Sequence, residues 1–156
     1  MNNTTLLNRA ISISQKAGLE ILEIYNENQF SKNIEIKSDS SPLTIADKTS
    51  NKTILTELEK IDKNIPILSE EEKNIPYSVR KTWNKFWLVD PLDWTKEFIK
   101  KNGEFTVNIA LIENGSPILG VVYAPVLNTI WYGSKYNGSY IINNGKNKKI
   151  KVDNKN

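Results

Sequence analysis

The residues able to do chemistry lie in short stretches rich in carboxylates. The run Phe86-Trp87-Leu88-Val89-Asp90-Pro91-Leu92-Asp93-Trp94-Thr95 sets two aspartates three positions apart, directly after four apolar residues. It reads as a buried strand that stops at a carboxylate, because Pro91 has no N–H to give a neighbour in a sheet interior. Asp93 and Thr95 then fall where a helix would begin, with Glu97, Phe98 and Ile99 behind them. Carboxylates take a hard cation such as Mg2+, and the first N–H groups of a helix take a phosphate. Together they suit metal-assisted phosphate chemistry. A plainer account has Asp93 as a helix cap and Asp90 as a turn residue ahead of proline. The motif by itself leaves both open.

A second apolar run, Ile65-Pro66-Ile67-Leu68, also ends in acids, Ser69-Glu70-Glu71-Glu72. On charge alone those acids equally describe a solvated surface. Asp47 falls in the first turn of a helix, where the dipole favours an acid in any case. Composition narrows the choice of chemistry. There is no cysteine and no histidine, so thiolate nucleophiles, sulfur-bound zinc and the commonest general base are all excluded. Hydrolysis here would fall to carboxylates, hydroxyls, lysines and a bound metal.

The net charge is only +3, with lysines and arginines scattered among acids, which argues against a nucleic-acid surface. No apolar run approaches a membrane span and no signal-peptide core opens the chain, so a cytoplasmic location is expected. With 156 residues, 38% of them hydrophobic and 25% charged, one globular domain is expected.

The elements that would position these acids follow from periodicity. Leu6, Leu7, Ala10, Ile13, Ala17, Ile21, Leu22 and Ile24 recur at helical steps and predict a helix over about 4–27. Ile34 to Lys37 alternates as a short strand, and Ser38 to Pro42 reads as a polar loop. A second helix runs to about Lys60, with Ile54, Leu55 and Leu58 inward. Residues 73–85 read as a loop with a helical turn. From Gly103 the pattern is a meander: Phe105, Val107, Ile109 and Leu111 alternate with polar or small residues, and Asn114-Gly115 marks a hairpin. Ile118–Tyr123, Thr129–Tyr132, Tyr140–Ile142 and Lys149–Val152 give further strands, with turns at Asn137-Gly138 and Asn144-Gly145.

Asp47, Glu70-Glu71 and Asp90-Pro91-Leu92-Asp93-Trp94-Thr95, in that order, resemble the inositol monophosphatase superfamily, Mg2+-dependent and lithium-sensitive phosphatases with the pattern D…EE…DP(I/L)D(G/S/A)T…WD…GG. Within it the likeness is strongest to the 3'(2'),5'-bisphosphate nucleotidases of CysQ type. It is carried by Ser40 to Asp47, Leu68 to Glu71, Asp93 to Ile99, Asn102 to Ile112 and Ile118 to Pro125. The resemblance implies an α/β (α+β layered) fold, two N-terminal helices packed on a mainly antiparallel sheet, the first half of the sugar-phosphatase-like fold. It implies one Mg2+ held by Glu70, Asp90 and the Leu92 carbonyl, and part of a second held by Asp90 and Asp93. Asp47, Glu70 and Thr95 would be catalytic, with Thr95 hydrogen-bonded to Asp47. Glu70, Leu92, Asp93, Trp94 and Thr95 would line the substrate phosphate.

The implied reaction removes the 3'-phosphate of 3'-phosphoadenosine 5'-phosphate to give AMP, in sulfate assimilation. The alternatives are an inositol or fructose bisphosphate phosphatase, or a decayed non-catalytic fragment. The same resemblance implies a small-molecule substrate and an enzyme of the cytoplasm or the inner-membrane periphery. Two departures stand out. Trp94 replaces the family's small residue after the second aspartate, where bulk would hinder a phosphate. The WD…GG segment, whose aspartate completes the second metal site, is not among these 156 residues. Residues 1–156 are therefore expected to form the N-terminal metal- and phosphate-binding domain with the C-terminal domain absent. Little activity of their own is expected of them, and either self-association or a separate chain supplying the other half.

Overall fold

The structure, a computed structural model, describes residues 1–27, 35–36, 42–72 and 75–152. The expected loop at Ser38 to Ser41 lies outside the described residues, as do Ile34 and Lys37 of the strand predicted before it.

Helix α1 (Asn3–Asn26) starts where the side chain of Asn2 accepts a hydrogen bond from the Thr5 N–H at 2.8 Å. Its predicted apolar stripe is the face that goes inward: Leu6, Leu7, Ala10, Ile13, Ala17 and Ile21 are buried. A two-stranded ribbon of β1 (Glu35–Ile36) and β2 (Pro42–Leu43) precedes α2 (Ile45–Ile61), so Pro42 belongs to a strand and not to the expected loop. A capping box begins α2: Thr44 accepts from the Ala46 and Asp47 N–H groups, and the Asp47 carboxylate returns a bond to Thr44.

The remaining strands are β3 (Ile67–Ser69), β4 (Lys85–Asp93), β5 (Thr106–Glu113), β6 (Ser116–Ala124), β7 (Thr129–Ser134), β8 (Gly138–Asn143) and β9 (Lys146–Ile150), with short helices α3 (Tyr77–Arg80) and α4 (Thr95–Ile99). They form one seven-stranded sheet in sequence order. Only β3 and β4 pair in parallel; each later pair is antiparallel. The turn of β5 to β6 has Asn114 at φ 50° and Gly115 at φ 72°, the left-handed pair that a two-residue hairpin needs. The far edge strand β9 carries Lys146, Lys148 and Lys149, charges that deter edge-to-edge pairing.

The core lies between α1, α2 and one face of this sheet, where Trp87, Val89, Val107, Ile109, Leu111, Val121 and Ile130 are buried. The two N-terminal helices on a mainly antiparallel sheet are as expected. Phe98 of α4 joins Tyr25 and Phe105 in a three-ring cluster, its centroid 5.3 Å from each, and so anchors the segment that follows Asp93.

Two details of β4 correct the sequence reading. The strand does not stop at Asp90 but runs through Pro91 to Asp93. Its register with β5 passes from Asp90 opposite Asn108 to Asp93 opposite Thr106, a bulge that contains Pro91 and Leu92. Beyond the end of β3 and inside a bulge, proline's missing donor breaks no regular ladder. The apolar run is also not buried on both faces: Trp87 and Val89 turn inward, whereas Leu88 is 43% exposed on the outer face.

Candidate active site

The parallel pair β3–β4 brings the two acid-bearing strand ends together. Ser69 stands opposite Val89, and the Glu70 N–H donates to the Val89 carbonyl at 3.1 Å. Glu70 and Asp90 thereby become neighbours from positions twenty apart in the chain. Burial, then the charges of Glu70 and Asp93, push the Asp90 carboxyl up to about 7. The Oδ1 atom of Asp90 is buried and has no hydrogen-bond partner. On the neighbouring strand Asn108 donates through Nδ2 to Asp93 Oδ2 at 3.3 Å. Asn108 was not singled out from sequence; its outward place in the alternation of β5 was the available signal.

Asp47 is fully buried, and both its oxygens are engaged. Oδ2 accepts from the Thr44 N–H at 2.7 Å and from Thr44 Oγ1 at 2.5 Å. Oδ1 accepts from Thr95 Oγ1 at 2.9 Å. Burial holds the Asp47 carboxyl above its usual range, against the lowering effect of the Thr44 and Thr95 bonds. Asp47 is thus a first-turn acid, as the plain reading had it, the capping-box partner of the N-cap Thr44, and a tether for Thr95, as the resemblance implied. The Thr95 hydroxyl also lies 3.2 Å from the Leu92 carbonyl. It has one proton, so when it donates that proton in a hydrogen bond to Asp47 its lone pairs are free to accept from a water.

Trp94 precedes α4 with φ 68° and ψ 46°, in the left-handed region, and caps nothing with its side chain. Asp93 is therefore not the N-cap that the plain reading allowed. The indole is 64% exposed, so it points largely into solvent. Non-glycine residues in this region are strained, bulky ones most of all.

A hard cation would satisfy Asp90 Oδ1, since a buried anionic oxygen without a donor is otherwise costly. Glu70 lies beside Asp90 across the β3–β4 pair and Leu92 follows Asp90 in the bulge, so these supply oxygen donors from the same strand ends. Among the described residues no three acidic side chains form a ready-made metal cage. Mg2+ does not require one, because it keeps several waters and takes one or two carboxylates. The donor set fits.

Glu70, Asp90, Asn108 and Arg80 line an open trough of about 840 Å³ on the outer face of the sheet, together with the apolar Val122 (beside Asn108), Trp131 and Ile150. Asp93 and Thr95 lie outside it. The trough is acidic at the strand ends and apolar along the sheet.

Residues 2–156 match the profile of the inositol monophosphatase family. The chain belongs to that family. It is 45% identical over 148 residues to the 3'(2'),5'-bisphosphate nucleotidase CysQ of Buchnera aphidicola, covering 94% of this chain and 55% of that protein. With CysQ of Salmonella typhimurium it shares 48% identity over 132 residues, 83% of this chain and 52% of the other. Among solved structures, CysQ of Bacteroides thetaiotaomicron superposes with a TM-score of 0.76 at 40% identity, over 97% of this chain and 52% of that one. The Thermotoga maritima IMPase gives 0.80 at 26% identity, over 96% and 54%. The chain spans about half the length of the relatives it matches.

Proposed function

We propose that this chain carries the metal- and phosphate-binding half of a 3'(2'),5'-bisphosphate nucleotidase, a Mg2+-dependent phosphatase that converts 3'-phosphoadenosine 5'-phosphate to AMP. The unpartnered buried oxygen of Asp90 between Glu70 and Asp93 carries this reading, and the CysQ relatives support the choice of substrate. Glu70, Asp90 and the Leu92 carbonyl would hold one Mg2+, and Asp90 and Asp93 part of a second. Mg2+ in this place supplies positive charge against phosphate oxygens and acidifies water.

The chain's own residues do the rest. Asp47 Oδ1 accepts the Thr95 hydroxyl hydrogen bond, which turns the Thr95 lone pairs outward to accept from the attacking water and aim it. Glu70 takes the proton that the water gives up. The backbone at Trp94 and Thr95 receives the phosphate.

The test is phosphate release from 3'-phosphoadenosine 5'-phosphate by residues 1–156 fused to the second half of the Salmonella relative. Turnover that requires Mg2+ and is lost in Asp90→Asn and Thr95→Ala is the expected result. A folded fusion that binds Mg2+ but releases no phosphate overturns the reading.

A further inference from the structure

Beside the buried Ala46, one face of α2 carries buried residues at positions 47, 50, 51, 54 and 58. The far half of that stripe, Ile54 and Leu58, is ordinary core. The near half is polar: Asp47, Ser50 and Asn51. Buried polar side chains are tolerated when each is bonded, and here each bond reaches a different part of the site. Asp47 holds Thr95. Ser50, fully buried, donates from Oγ to the Pro91 carbonyl at 2.7 Å. Asn51 accepts at Oδ1 from Ser69 Oγ at 2.7 Å and donates from Nδ2 to Glu72 Oε1 at 2.7 Å.

These bonds start where the sheet leaves off. The β3–β4 register ends at Ser69 opposite Val89, and the Glu70 N–H bond to Val89 is the last rung. Past it, residues 70–72 turn away and β4 enters its bulge. Successive helix residues point roughly 100° apart, so Ser50 and Asn51 on one turn reach both strand ends. We infer that Ser50 and Asn51 are positioning residues: from α2 they grip the Pro91–Asp93 and Ser69–Glu72 segments and set the spacing of Glu70 from Asp90. That spacing then governs how well the pair holds a divalent cation. The cation clause rests on the proposed function; the grip itself does not.

The test compares Asn51→Ala and Ser50→Ala with Leu58→Ala, which weakens the apolar half of the same stripe. Two readouts are taken on the 156-residue chain: Mn2+ affinity by calorimetry, and amide hydrogen exchange without metal. Asn51→Ala is expected to speed exchange selectively at Glu70 to Glu72, and Ser50→Ala at Leu92 to Trp94. Each is expected to weaken Mn2+ binding about 10-fold or more, the usual effect of losing a residue that orients a ligand. Leu58→Ala is expected to lower the melting temperature with no selective change at either segment and no such loss of affinity.

Exchange at both segments unchanged in Asn51→Ala and Ser50→Ala overturns the inference. So does an equal loss of Mn2+ affinity in Leu58→Ala, which would make stability the cause. Should Asn51→Ala not fold, the isosteric Asn51→Asp removes the donor to Glu72, and unchanged exchange at Glu72 is again fatal. If the wild-type chain binds no Mn2+, the proposed function falls while the exchange pattern still decides the grip.

Discussion

Asp90 keeps a proton that the unfolded chain would release. Its carboxyl rises from an ordinary value of 3.8 to about 7, through burial first and then the charges of Glu70 and Asp93. Below about pH 4 folded and unfolded chains are both protonated there, so no penalty exists. As pH rises from about 4 to 7 the unfolded chain ionises while the folded one resists, and stability is lost; above 7 the penalty is complete. Asp90→Asn is therefore expected to raise the melting temperature of the metal-free chain at pH 8 and to leave it nearly unchanged at pH 4. Mg2+ should stabilise the wild type at pH 8 and the variant far less. A gap that does not vary with pH would refute this. Trp94 makes a second residue-scale prediction. A left-handed φ costs an L-residue roughly 1–2 kcal/mol, and an indole 64% exposed has little packing to offset it. Trp94→Gly, after the extra chain entropy of glycine, should stabilise by about 1 kcal/mol, or roughly 2–4 °C in a domain of this size. A lower melting point would show that the indole packs better than its exposure indicates.

At the scale of elements, the site depends on how closely the helices approach the sheet. Gly18 of α1 lies against Tyr123 of β6, and a Cβ built there would stand 2.3 Å from the ring carbon Cε1. Inside a helix, alanine is ordinarily preferred to glycine by about 1 kcal/mol. Here the clash should win, because overpacking forces side chains and backbone apart at a cost of roughly 1–3 kcal/mol. Gly18→Ala is expected to lower the denaturation midpoint. A midpoint equal to wild type or higher would mean the Tyr123 ring swings aside freely. The same approach sets α2 over the ends of β3 and β4, since both helices share the inner face of the sheet.

At the scale of the molecule, the carboxylates stand at the rim of a sheet face that is open along its length. Leu88 and Val122 are 43% and 41% exposed on that face. The chain spans about half the length of the relatives it matches, and in the proposed site a second ion would have Asp90 and Asp93 among the described carboxylates. Residues 1–156 alone are accordingly expected to release phosphate at least ~100-fold more slowly than the fusion described above, the usual consequence of losing one stabiliser of developing charge. Single-turnover phosphate release, with both proteins at saturating Mg2+, measures the ratio. Equal rates would show that the half carries the whole catalytic constellation.

The sequence by itself determined the elements and most of the topology. Apolar periodicity located α1 and α2, alternation located β5, and the Asn-Gly dipeptides located the turns, because these signals are local and each residue's face follows from its own neighbours. It also supplied Glu70, Asp90, Asp93 and Thr95 as chemistry-bearing positions, with Asp47 in a first turn. What it could not decide was which reading of each acid held, since a cap, a surface charge and a ligand share one residue type. Tertiary structure decided that Asp47 is the capping-box partner of Thr44 and a tether together, because its second oxygen meets Thr95 from 48 positions away, a bond that only the family resemblance, and no local pattern, had suggested. It also carried β4 through Pro91, since a bulge beyond the end of β3 removes the demand for a ladder bond that the sequence rule assumes. Ser50 and Asn51 were invisible for the same reason. Their partners, Pro91 and Ser69, become neighbours only when α2 lies across two strand ends, and no local pattern encodes that crossing.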